Sequence, residues 1–147
     1  MKSRPLPAFV LLLFLALLSS AVSAAEDDPP AFAYLLHCAG CHLEDGSGDP
    51  PIVPDLRNDL GLLLGNAKGR SYMLRVPGVA DSPVAESQMA ALMNWLIARL
   101  YPERTDFKPF TVEEVAAARA DRLADPLRHR RELFAELTGD QSAAVEQ

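Results

Sequence analysis

Cys38-Ala39-Gly40-Cys41-His42 sets two thiols three positions apart and follows the second at once with an imidazole. That spacing is the attachment signature of a c-type haem. Each thiol can add across one vinyl group of the porphyrin to form a thioether, and the histidine is carried beneath the ring to bind iron from the proximal side. Two rival chemistries fit less well. A thioredoxin-type dithiol sits at the end of a strand inside a βαβ unit, and no strand pattern precedes Cys38. A zinc knuckle needs four Cys or His ligands, but only His37 and His129 remain and there is no second Cys pair. The chain holds 2 cysteines, so one covalently attached haem c consumes both and leaves no disulfide framework.

Elements that position this motif are readable from turn chemistry and apolar spacing. Asp28-Pro29 reads as a cap and first turn for a helix entering the motif, with Phe32, Leu35 and Leu36 at helical spacing on one face. Gly46-Ser47-Gly48-Asp49-Pro50-Pro51 must stop that helix, and a loop to Pro54-Asp55-Leu56 is expected to wrap the proximal side of the ring. Short helices are predicted over Leu60–Leu64 and Gly69–Leu74. The clearest helix starts between Ser82 and Glu86 and ends before Pro102, with Met89, Leu92, Met93, Leu96 and Leu100 forming a core-facing stripe. Thr111-Val112-Glu113-Glu114 reads as a reciprocal capping box opening a helix to Arg122. Asp125-Pro126 opens another that runs to about Leu137 and stops at Gly139. No segment alternates with period two, so the fold class is all-α.

The first 24 residues read as a secretory signal peptide: Lys2 and Arg4, an apolar run from Ala8 to Leu18, then small residues at Val22-Ser23-Ala24. The run is too short to span a bilayer, so no stable membrane span is expected after cleavage. Haem is ligated covalently outside the cytoplasm in bacteria, so leader and motif both imply a periplasmic protein. Losing Lys2 and Arg4 from 14 basic residues leaves 12 against 20 acidic ones, a charge of −8 before the haem propionates are added. Such acidity argues against nucleic acid and for a basic patch on a docking partner. Three segments follow: signal peptide 1–24, a haem domain 25–104, and a C-terminal helical extension with a disordered tail, 105–147.

From about Pro29 to Tyr101 the chain resembles the class I, or cytochrome c-like, family of small single-haem electron carriers, most specifically in Tyr34-x-x-x-Cys38-x-x-Cys41-His42 followed by Gly46 and Gly48. The resemblance implies a small cytochrome c-like haem domain with Tyr34 packed on the cofactor. It also implies that the Pro54 carbonyl, in a Pro-x-Leu-like element, orients the proximal His42 ring. Trp95 is similar to the aromatic residue at the crossing of the family's first and last helices. The family's sixth iron ligand is a Met thioether or, less often, a His. Met73 is the first choice by position, although the 31 residues from His42 to Met73 are fewer than the family usually places there. Met89, Met93, His129 and an open position are the alternatives.

The function expected is a periplasmic single-haem c-type cytochrome that passes single electrons between redox partners, itself no enzyme, with a periplasmic dehydrogenase or terminal oxidase as the kind of partner. The alternative is a haem enzyme or a gas- or peroxide-binding protein with an open distal iron site, for which His129 is the one extra-domain acid–base candidate. Arg119, Arg122, Arg128, Arg130 and Arg131 of the extension either fold back on acidic residues of the haem domain or dock to a partner.

Overall fold

The protein, described by a computed structural model over residues 29–139, is helical throughout, with no strand among the described residues. In chain order the helices are α1 (Pro30–His37), α2 (Ala39–His42), α3 (Leu56–Leu64), α4 (Ala67–Arg75), α5 (Pro77–Ala80), α6 (Glu86–Leu100), α7 (Val112–Arg119) and α8 (Pro126–Thr138). The signal peptide, the Asp28 cap and the end of the tail lie outside the described residues.

Capping chemistry sets most helix starts. Asp55 accepts the Arg57 N–H and starts α3 earlier than the expected Leu60, while Asn66 accepts the Lys68 and Gly69 N–H groups at the head of α4. Asp125 caps α8, and Gly139 ends it in the left-handed conformation, with φ of 71°. The capping box at α7 is only half formed. Thr111 Oγ1 accepts the Glu114 N–H at 3.2 Å, but the Glu114 carboxylate is drawn off by the Arg70 guanidinium at 2.8 and 3.1 Å. Helix α7 also stops at Arg119 rather than Arg122. The chain beyond it is claimed by α4, where the Arg75 carbonyl accepts the Leu123 N–H at 3.0 Å and Arg75 Nε donates to the Asp121 carbonyl at 2.6 Å.

Helix α6 buries Met89, Ala90, Leu92, Met93, Leu96 and Ile97, as its apolar period predicts. Across it lies α1, which buries Ala33 and Tyr34. Trp95 fills this crossing, its ring 5.8 Å from that of Tyr34 and tilted by 50°. The other face of α1 stays in water, with Phe32, Leu35 and Leu36 at 51%, 50% and 61% exposure. Phe110, Val115, Leu123 and Leu133 of the extension belong to the same buried core as Tyr34, Leu60 and Leu96. Asn94 makes a two-way bond with the Phe110 backbone, at 2.7 and 3.0 Å. Arg70, buried beside that backbone, donates to the Lys108 and Pro109 carbonyls and lies 4.0 Å over the Phe110 ring.

Candidate haem site

Cys38 is the break between α1 and α2, and Cys41 and His42 close α2. The chain then turns sharply: Leu43 adopts φ of 59°, Gly46 83° and Gly48 62°. Gly48 donates its N–H to the His42 carbonyl at 3.1 Å, Leu56 donates to Gly46, and Asp49 and Val53 exchange a pair of backbone bonds. These contacts fold the loop back under the imidazole and bring the Pro54 carbonyl oxygen to 3.2 Å from His42 Nδ1. A carbonyl oxygen only accepts, so Nδ1 carries the hydrogen and the Nε2 lone pair is left for a metal. Burial lowers the His42 pKa, partly offset by the bond to Pro54, a direction that favours the neutral ring ligation requires.

Tyr34 reinforces the same turn by donating its hydroxyl to the Leu43 carbonyl at 2.7 Å. Burial pushes its phenol up to about 12, with Cys38 and Asp45 adding and Arg99 opposing. The Cys38 thiol is also raised, first by burial and then by Cys41. Cys38 is half-buried and Cys41 exposed.

Tyr34, Cys38, Cys41, His42, Pro54 and Met73 all line one cleft of about 260 Å³. The structure therefore brings together every site residue expected from the sequence. Met89 and Met93 share the cleft, as do Ile52, Leu56, Leu60, Leu63, Val76, Val79, Leu92 and Leu96. Met73 is buried in α4, within the helix expected over Gly69–Leu74, and the three thioethers come from two helices. His129 is not among the lining residues; its ring stacks on Tyr72 at 5.9 Å. Sequence reasoning missed Asp59 and Arg130, a carboxylate and a guanidinium that also line the cleft, and Pro126 and Leu127, which close it from α8. The available signal was helical phase, since Pro126, Leu127 and Arg130 fall on one side of α8.

These walls suit a flat apolar macrocycle that is tethered by sulfur and ligated by nitrogen. Over 140 residues the chain is 31% identical to a cytochrome c-552 of Thermus thermophilus, an alignment covering 82% of this chain and 88% of that protein. The chain belongs to the c-type cytochrome family. A second cytochrome c-552 of Thermus thermophilus is 30% identical over 106 residues, covering 58% of this chain and 81% of its own. No family model matches the chain, and no solved structure does. As a c-type cytochrome the protein is an electron carrier whose cofactor is haem c. Among the described residues, no helix of this c-type cytochrome is long and apolar enough to cross a membrane.

Proposed function

We propose that the protein is an exported, single-haem electron carrier of the periplasm, released from the signal peptide predicted at 1–24. Cys38 and Cys41 each add a sulfur across one vinyl group of the porphyrin, and His42 binds iron through Nε2. The observation that carries this reading is the 3.2 Å approach of His42 Nδ1 to the Pro54 carbonyl beside two thiols on the wall of the same cleft. An acceptor on Nδ1 fixes the ring's orientation and makes Nε2 the better donor. When bound, haem iron supplies a centre that gains and loses one electron. The chain's own residues then exclude water from it, orient its ligand and set the charge around it.

Met73 is proposed as the sixth ligand, closing the iron to oxygen and peroxide. Placement of Met73, Met89 and Met93 in helices rather than on a loop favours one second reading, an open distal position. Leucine replacement of each Met, followed by visible and magnetic circular dichroism spectra, separates them. Loss of a low-spin, Met-ligated signature in Met73→Leu alone supports the assignment, whereas rapid carbon monoxide binding by the reduced wild-type protein supports the open site. The acidic mature chain calls for a redox partner, such as a periplasmic dehydrogenase or oxidase, that presents a basic patch. The decisive test of the whole is intact-mass analysis of exported protein. One haem's added mass and two thiols resistant to alkylation are expected, and a bare polypeptide would refute it.

A further inference from the structure

Four arginines among the described residues have side chains withdrawn from water, at 20% exposure or less: Arg70, Arg75, Arg119 and Arg130. Three of them tie backbone to backbone. Arg70 donates to the Lys108 and Pro109 carbonyls as well as to Glu114. Arg75 reaches the Asp121 carbonyl, and Arg119 spans those of Val79, Ser82 and Val84. Among the described residues Arg130 reaches no carbonyl, and its one hydrogen-bonded partner is the Asp59 carboxylate, met through Nη2, with the Phe134 ring 5.2 Å away.

A guanidinium offers five N–H donors in a rigid fork, so a single bond through one nitrogen leaves the others available to a further acceptor. That acceptor is not supplied by the cleft's other walls, which are largely apolar. Tyr72 lines the cleft beside the pair; burial raises its phenol, Arg130 draws it back and Asp59 adds to the rise. A polar corner of three side chains thus interrupts an apolar cavity. Haem is apolar apart from its two propionates, and a carboxylate placed in such a cavity is costly unless a cation pairs with it.

We infer that Arg130, delivered from the C-terminal helix, binds a haem propionate while keeping its bond to Asp59, so that the cofactor is held by sulfur from one end of the chain and by a guanidinium from the other. This rests on the haem reading above. Arg130 is on this account a positioning residue, and Asp59 sets the charge it presents.

The test uses holoprotein carrying Arg130→Gln, Arg130→Lys or Asp59→Asn, with midpoint potential measured against pH by spectroelectrochemistry. Removing a cation near the iron disfavours the reduced state, so Arg130→Gln should lower the potential; removing an anion should raise it in Asp59→Asn. Without its cation the propionate regains a higher pKa, so Arg130→Gln should also acquire a fall in potential with rising pH between about pH 5 and 8 that the wild type lacks. Arg130→Lys should restore most of both. Potentials and pH profiles that stay put while thermal stability drops would overturn the assignment and leave Arg130 a structural clasp. Wild-type material found without haem by mass would instead sink the haem reading itself.

Discussion

Gly48 passes so closely beneath Pro54 that a Cβ at position 48 would stand 2.5 Å from the Pro54 carbonyl oxygen and 2.7 Å from that of Val53. The same carbonyl faces His42, so the bare α-carbon of Gly48 is what lets the loop close under the imidazole. Gly48→Ala adds both the clash and the strain of a left-handed φ, and should cost about 2 kcal/mol or more in thermal or urea unfolding. In holoprotein it should also raise the potential, because a weaker acceptor on Nδ1 makes Nε2 a poorer donor to ferric iron. Gly48→Asn tolerates the φ but keeps the Cβ, so a potential like that of wild type in this variant would contradict the steric account.

Arg70 joins α4 to the segment before α7 through two carbonyls, the Glu114 carboxylate and the Phe110 ring. Replacing it with Met leaves those acceptors short of a donor in a buried site and should destabilise the fold by about 3 kcal/mol. Urea titration reads this directly. A loss below about 1 kcal/mol would show that the contact is redundant.

The Tyr34 phenol, held up at about 12, makes a statement about alkaline stability. Below the ordinary pKa near 10 the phenol is neutral in both folded and unfolded chains and nothing changes. Above it the unfolded chain ionises first while the folded one keeps its proton, so stability falls as pH rises through that interval, by roughly 2–3 kcal/mol in all. Tyr34→Phe should lose this slope and, at neutral pH, the bond to Leu43, worth about 1 kcal/mol. Tyr72 and Tyr101 are raised as well and persist in the variant, so the difference between the two proteins isolates Tyr34. Parallel stability curves from pH 9 upward would contradict it.

Cutting the chain after Tyr101 removes Phe110, Val115, Leu123 and Leu133 from the shared core together with the Asn94–Phe110 bonds. The shortened protein should lose cooperative unfolding and its native haem spectrum. Retention of both, with only partner turnover impaired, would mark residues 105–147 as a docking arm instead.

Much of this was legible in the sequence because it is local. The α6 stripe follows from spacing alone, the caps at Thr111 and Asp125 from a side chain that meets an N–H three residues on, and the cysteine–histidine motif from its own order. What escaped depends on distant competition. Phe32, Leu35 and Leu36 look like the inner face of α1, yet the crossing with α6 takes the Ala33–Tyr34 side, where small Ala33 permits close approach and Tyr34 finds Trp95 and the Leu43 carbonyl. Arg70 breaks the expected capping box from 44 residues away. Arg130 sits in a run of arginines that reads as a solvated surface, and only the docking of α8 turns one of them inward. Of the arginines after residue 104, Arg119, Arg122 and Arg130 do pair with Glu86, Asp81 and Asp59, whereas Arg128 pairs locally with Asp125.

Pro126 and Leu127 roof the cavity from the last helix, while the cysteine sulfur atoms come from the break after α1 and from α2. On the export and sulfur tethering proposed above, a polypeptide threaded out N-terminus first would present its thiols before the roof emerged, and early docking of that helix would bar the porphyrin's way in. On that proposal the direction of the chain is also a timetable for loading it.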